Sequence, residues 1–247
     1  MAVQRTLPAT INGDSALVVV QPSRAGSRLE AFTLPLGGAK QHGYADEGSY
    51  FVTYNVTDGT GIAGHPAPVQ ADLSTKPLLH IFNGNSSGGR SIILDFVRIR
   101  MTAIGAGATT TDFTTWIDNN GSTSKTGGTG TVATSVNCRG DQQYTTGAVV
   151  TIGVVTASAP ATEKRTDHQR VRSVVPVVED QYVFDFGGAS YGPPTGGITM
   201  AGTAVIGAYV KMAPAVIPPG GNFKLVQWGA SQSGAHSFEY TVGWMER

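Results

Sequence analysis

The sequence predicts an all-β fold, a two-sheet sandwich preceded by a distinct N-terminal segment. Three observations carry that expectation. Phe238, Tyr240, Val242 and Trp244 recur at every second position of the last run, opposite Glu239, Thr241 and Gly243. Successive side chains leave a pleated strand on opposite sides, so a period of two marks a half-buried strand. Ahead of it, Val216-Ile217-Pro218-Pro219-Gly220-Gly221 lacks backbone donors at two consecutive positions, and no ladder can run through it. Composition agrees. With 33 glycines and 14% charged residues in 247, against about 25% charged in an average soluble domain, the chain suits short strands and tight turns better than helices.

Residues 1–48 differ from the rest. One apolar run, Ala16 to Val20, is followed by Pro22, Gly26, Pro35, Gly37, Gly38 and Gly43. Such punctuation allows at most one or two short strands. Two readings stand open, an extended N-terminal arm lying on another subunit and a flexible N-terminus. An irregular loop of this length inside one compact domain would be unusual.

The sandwich is expected over residues 49–247. Tyr50 to Val56 alternates, with Tyr50, Val52 and Tyr54 opposite Phe51 and Thr53. Gly59 to Pro68 is a turn-rich loop, and Leu78 to Phe82 a short apolar strand. The longest run, Ser91 to Ile104, sets Asp95, Val97, Ile99 and Met101 against Phe96, Arg98 and Arg100. Asp112 to Asp118 carries Phe113 and Trp116 and ends at Asn119-Asn120-Gly121, a hairpin signal because Asn and Gly tolerate positive φ. Ser122 to Thr131, almost all Ser, Thr, Gly and Lys, reads as an exposed loop. Further strands are expected at Thr131 to Asn137, Gly147 to Thr156, Val171 to Val178 and Thr203 to Met212. Glu163 to Arg172 holds much of the mid-chain charge and is the one candidate helix. The count from Tyr50 is eight to ten strands, which fits a jelly-roll-like sandwich.

Bulk properties narrow the function classes. The net charge is zero, whereas nucleic-acid binders carry a basic excess for phosphate contacts. Cys138 is the single cysteine, so neither an internal disulfide nor a cysteine-based metal cluster is expected. Neither a signal-peptide core nor a membrane span of about 18 apolar residues is present, and synthesis in the cytoplasm is expected.

The motifs with chemical meaning each have a plainer reading. Gly84-Asn85-Ser86-Ser87-Gly88 matches G-x-S-x-G, but the residues that follow, Gly89-Arg90-Ser91, lead into a strand rather than the helix of a nucleophile elbow. His42, His65, His80, His168 and His236 show no metal-ligand spacing. The acids Asp46-Glu47, Asp58, Asp72 and Glu179-Asp180 read as surface charge, since neighbours on a strand point to opposite faces. Arg98 and Arg100 share a face and are expected to meet water or acids of a neighbouring subunit. Arg139-Gly140-Asp141 is too short to carry weight. The triplets at Asn55, Asn85 and Asn120 lack a secretory context, and Gly187-Gly188 and Gly196-Gly197 lack the Lys-Ser/Thr of a phosphate loop. No catalytic residue, cofactor-binding residue or metal ligand is assigned, and no cofactor is expected.

The run Val216 to Trp228, closed by Phe238 to Glu246, resembles the end of jelly-roll virion proteins of tailed bacteriophages, as does the Ser-Gly-Gly-Arg turn leading into a long strand (Ser87 to Met101). The similarity is one of strands and turns and covers about 170 residues from Leu78. It implies a capsid decoration (cement) protein on the outer head surface, not an enzyme. It further implies a homotrimer whose partner is the major capsid protein, with no nucleic acid or membrane bound, located on the virion. The N-terminal segment departs from a minimal jelly roll, and in such families an arm laces neighbouring subunits together. The alternative is a carbohydrate- or receptor-binding module of a head fibre or tail, in which Trp116, Tyr144 or Tyr191 would stack on sugar rings. A cupin-like or glycosidase-like enzyme would need a metal or a carboxylate pair that the spacing does not offer.

Overall fold

The structure is a computed structural model that describes residues 8–11, 14–17, 19–22, 29–32, 44–45, 47–55, 57–68, 74–119, 125–141, 144–186 and 207–247. The chain divides into two units, Met1–Tyr44 and Ala45–Arg247. In the first, β1 (Pro8–Ile11) pairs antiparallel with β2 (Asp14–Leu17), and β3 (Val19–Pro22) with β4 (Leu29–Phe32). Four short strands thus replace the one or two expected. The signal was present, since Asn12-Gly13 between β1 and β2 is the dipeptide that favours two-residue hairpins.

The second unit begins with β5 (Tyr50–Tyr54), β6 (Ile62–Ala63), β7 (Leu79–Asn83), β8 (Ile92–Ala103) and β9 (Thr111–Asp118). Short strands follow at β10 (Lys125–Gly128), β11 (Thr131–Val132), β12 (Ser135–Asn137), β13 (Ala148–Ile152) and β14 (Val155–Ala157). Next come β15 (Lys164–Arg172), β16 (Gln181–Asp185), β17 (Gly207–Lys211) and β18 (Val216–Ile217). The unit closes with β19 (Asn222–Trp228) and β20 (Ser237–Glu246).

One sheet runs β12-β5-β20-β8-β16-β17, with β6 also on β20 and β18 on β8. The other runs β11-β13-β7-β19-β9-β15. The chain crosses between sheets at several points, among them β7 to β8, β8 to β9, β15 to β16 and β19 to β20, and the two sheets form an all-β sandwich. The last two strands each lie inside a sheet, between strands made much earlier.

The inner faces pack into one core. Phe51, Val97, Ile99, Tyr182, Phe184, Val242 and Trp244 from one sheet meet Leu79, Ile81, Phe113, Phe223 and Leu225 from the other. Phe113 sits 4.8 Å edge-on to Phe184, and Phe186 5.3 Å from Phe223. The β20 alternation holds as read, with Phe238, Tyr240, Val242 and Trp244 buried. The turn before β19 holds too. Gly220 has φ +77° and the Gly221 amide donates to the Pro218 carbonyl at 2.8 Å, a closed turn whose third position suits glycine.

On β8 the alternation slips. The register moves from Phe96 opposite Gly243 to Leu94 opposite Trp244, so Asp95 is the extra residue of a bulge. Ile92 and Leu94 therefore reach the core from even positions, and Val97, Ile99 and Met101 from odd ones. Across from the bulge Gly243 lies beneath Phe96, where a Cβ would come within 2.4 Å of the ring.

Several expectations are corrected. The candidate helix Glu163 to Arg172 is instead Glu163 followed by strand β15 (Lys164–Arg172), on a sheet edge where both faces are charged and two register shifts disrupt the period. Only Val171 and Arg172 of the expected strand Val171 to Val178 are in a strand. The rest turns away, leaving Val174 and Val175 57% exposed. Lys125–Gly128, placed in a loop, pairs with β14. Strand β9 pairs with β15 and β19 rather than with the strand after it, so the Asn-Gly hairpin does not form. Asn120 and Gly121 lie outside the described residues, as do residues 203–206 of the expected strand Thr203 to Met212. Among the described residues from Tyr50 on, sixteen strands stand where eight to ten were counted, because the chain between β9 and β15 folds into five short ones where two were expected and β6, β16 and β18 were not foreseen.

Candidate functional site

The outer face of the eight-stranded sheet carries an open groove of about 510 Å³. Strand order creates it. Tyr54 on β5, Thr241 on β20 and Arg98 on β8 fall in one cross-strand row, and Glu239, Arg100 and Gln181 in the next. Neighbouring strands lie about 4.8 Å apart, so Tyr54 and Arg98 stand roughly 10 Å from each other along the row. Asn55 and Asp58, in the chain following β5, complete one side.

Part of this lining is locked. Arg100 Nε donates to Glu239 Oε2 at 2.9 Å, its Nη2 reaches the same oxygen, and its Nη1 donates to Glu179 at 2.9 Å. The Gly59 amide donates to the other Glu239 oxygen. These bonds hold the Glu239 carboxyl below its ordinary range, chiefly through Arg100, and push the Arg100 guanidinium up. Asn55 donates to the Thr60 carbonyl at 2.8 Å and accepts from the Tyr240 amide at 3.2 Å. Arg98 donates to the Thr241 hydroxyl at 2.9 Å and is otherwise exposed. Tyr54 is 50% exposed.

Arg98 and Arg100 were expected to meet water or acids of a neighbouring subunit; Arg98 does stand exposed, whereas Arg100 finds its acids within the chain itself, at Glu239 and Glu179. That pairing is invisible in sequence because residues 98–100, 179–181 and 239–241 meet only through the strand order.

The remaining sequence features lie apart from the groove. Gly84 to Gly88 is an exposed crossover between the sheets, with its Gly84 amide bonded to the Gly147 carbonyl and no helix behind Ser86. Arg139 closes on Asp141 of its own tripeptide at 2.7 Å. Trp116 is half-buried on β9, Tyr144 is 62% exposed on a separate loop, and Tyr191 lies outside the described residues. Of the three aromatics offered as stacking residues, Tyr144 alone is shown exposed, and neither it nor Trp116 lines the groove. Glu47 is exposed, and Asp46 and Asp72 lie outside the described residues. Asp180 corrects the surface-charge reading. It is fully buried and takes Arg172 at 3.1 Å and the Tyr182 hydroxyl at 3.1 Å.

The outer face of the six-stranded sheet is polar yet covered. Lys224 on β19 is completely buried, forms an ion pair with Glu163, and donates to the carbonyls of Ser74 at 3.2 Å and Ser158 at 2.5 Å. Burial nevertheless pushes the Glu163 carboxyl up against the pull of that lysine. His80, opposite Lys224 in register, is lowered to about 4 by burial first and by the lysine charge second. His236 is also lowered to about 4 by burial, with its Nδ1 accepting from the Gly105 amide at 2.8 Å. Near the edge, His168 and Arg170 lie 3.3 and 3.0 Å from buried Asp112, and His168 stacks on Trp228. His65 is buried against the Val155 carbonyl at 2.7 Å, and His42 lies outside the described residues.

Among the described residues, no three His, Cys, Asp or Glu side chains gather as metal ligands. No helix of the described residues is long and apolar enough to cross a membrane. No family model matches the sequence, and neither a curated protein nor a solved structure matches it.

Proposed function

We propose that the chain is a structural virion protein, a capsid decoration (cement) protein that binds the outer surface of a bacteriophage head as a homotrimer and stabilises the shell. The observation that carries this reading is the division of the chain. Ala45–Arg247 closes its own core, from Phe51 to Trp244. Met1–Tyr44 offers two hairpins of four-residue strands. A lone two-stranded hairpin is marginal in water, and such a unit gains stability by docking on a further surface. The major capsid protein or a neighbouring decoration subunit supplies that surface. The loop after β15, which holds Val174, Val175 and Val178 in solvent, offers a second apolar contact.

Binding only the assembled shell would stabilise it by mass action, without chemistry. A trimer would also cover sheet edges that invite unwanted pairing. The test is native mass at micromolar concentration, followed by co-sedimentation with purified heads. Three chains per particle and retention by heads, lost on removal of Met1–Tyr44, are the expected results. A monomer that heads do not retain refutes the proposal. A second reading, a carbohydrate- or receptor-binding module of a head fibre or tail, draws on one observation, the open groove at Tyr54.

A further inference from the structure

The groove on the eight-stranded sheet separates into a fixed frame and a set of unused groups. Arg100, Glu239 and Asn55 spend their polar atoms on one another, on Glu179 and on nearby backbone. In contrast, among the described residues the Asp58 carboxylate, the Gln181 amide and the Tyr54 hydroxyl take no hydrogen bond, and Arg98 has only the Thr241 hydroxyl. All four belong to exposed residues. The groove therefore presents one aromatic ring, one cation and one amide over two adjacent cross-strand rows, with one anion, Asp58, on the chain segment that closes one side.

These groups select a class of ligand. Among the lining residues Arg98 and Arg100 balance Asp58 and Glu239, and Glu179, bonded to Arg100 from beside the groove, adds a further negative charge, so an anion gains no net attraction. Planar guanidinium, carboxylate and amide groups each present two polar atoms side by side, a match for two neighbouring hydroxyls that can both donate and accept. The exposed Tyr54 ring supplies an apolar shelf of the sort that the C–H face of a sugar ring covers. The volume lies inside the range of about 300 to 1,000 Å³ usual for small-ligand sites. The stiff sheet and the Arg100–Glu239 frame hold the rows in place before a ligand arrives, which limits the ordering cost of binding.

We infer that this groove is a binding site for a neutral saccharide, with Tyr54 as the stacking platform and Arg98, Gln181 and Asp58 as hydroxyl partners. The assignment deepens the carbohydrate-binding reading and is independent of attachment to a shell, because it concerns the free chain.

The test is a screen of the full-length chain against an array of neutral and acid-bearing oligosaccharides, with hits measured by ligand-observed NMR in solution. Neutral glycans are expected to bind. Tyr54→Ala and Arg98→Ala should each weaken binding roughly ten-fold or more, while Tyr54→Phe, which keeps the ring, should stay within about three-fold of the parent. Denaturant midpoints of all three variants should match the parent, since both side chains stand in solvent. Binding by acid-bearing glycans alone overturns the neutral class. Equal affinity of parent and Tyr54→Ala overturns the location, and an array without any neutral hit overturns the site itself. Loss of head binding on removing Met1–Tyr44 with glycan binding unchanged would keep this site and the shell contact distinct.

Discussion

Replacing Lys224 by Met tests the buried ion pair on β19. The substitution keeps most of the stem that packs against the sheet and removes the charge. It leaves the Glu163 side chain, 3% exposed, without its cation. That carboxyl can shed its charge only by taking up a proton, and holding a group of ordinary value 4.5 protonated at pH 7 costs about 3 kcal/mol. The bonds to Ser74 and Ser158 are lost as well, at roughly 1 kcal/mol each. The expected loss at pH 7 is therefore about 5 kcal/mol, at the upper end of the range of about 3 to 5 for breaking a buried pair. At pH 5 protonation of Glu163 is nearly free, and the loss should shrink by more than 2 kcal/mol. His80 acts in the same direction, since removing the lysine charge eases its protonation. Urea unfolding of parent, Lys224→Met and the double variant Lys224→Met/Glu163→Gln at pH 7 and pH 5 measures these differences. The double variant should recover most of the charge penalty and show little pH dependence of its own deficit. A single variant that loses less than about 1 kcal/mol, or loses as much at pH 5 as at pH 7, refutes the reasoning.

Three further predictions follow from the fold. His80 and His236 are neutral and buried, with values lowered to about 4 from an ordinary 6.5, so their contribution is full above pH 6.5 and is lost as pH falls toward 4. The urea midpoint should drop over that window by a loss on the order of 3 kcal/mol per histidine, and a flat profile would count against it. Gly243→Ala drives a Cβ to within 2.4 Å of the Phe96 ring and 2.8 Å of the Tyr50 hydroxyl, and should destabilise by about 1 to 3 kcal/mol. Adding Phe96→Ala should offset part of that loss, and strict additivity of the two would disprove the clash. Removing Met1–Tyr44 should leave a cooperative sandwich with the parent near-UV circular dichroism, whereas a molten product would show that the core needs the first unit.

The sequence disclosed the fold where side-chain period and turn chemistry act locally. Strand β20 alternates cleanly because one face is buried and the other open, and Pro218-Pro219-Gly220-Gly221 admits only a turn. It concealed β15 because an edge strand with charge on both faces lacks a period, and the shifts at Thr166 and Val171 scramble what remains. Asp95 falls on one face with Val97, Ile99 and Met101 in sequence for a related reason, since a bulge inverts parity without altering composition. Lys224 gave no sign of burial. Its partner Glu163 lies in the loop before β15, and only the tertiary fold brings the two together. The groove shows the same limit. The shared face of Arg98 and Arg100 was legible, but Tyr54, Gln181 and Glu239 become their neighbours only through the order β5-β20-β8-β16.

That strand order also governs how the chain can be made. Asn55 and Tyr240 bond across a separation of 185 residues, and β20 is the strand that joins β5 to β8. In the other sheet β19 does the same for β7 and β9. A ribosome adding about 5 to 20 residues per second therefore leaves β5 and β8 with bare inner edges for roughly ten seconds or more before the strand that satisfies them emerges. Neither sheet can close from its own early strands, so the sandwich folds late and nearly all at once, with the long-range pairing that slows β-rich domains. During that interval the apolar edge of β8 is open to other nascent chains. Yield in the cell should accordingly depend more on chaperone supply and synthesis temperature than on the stability of the finished sandwich.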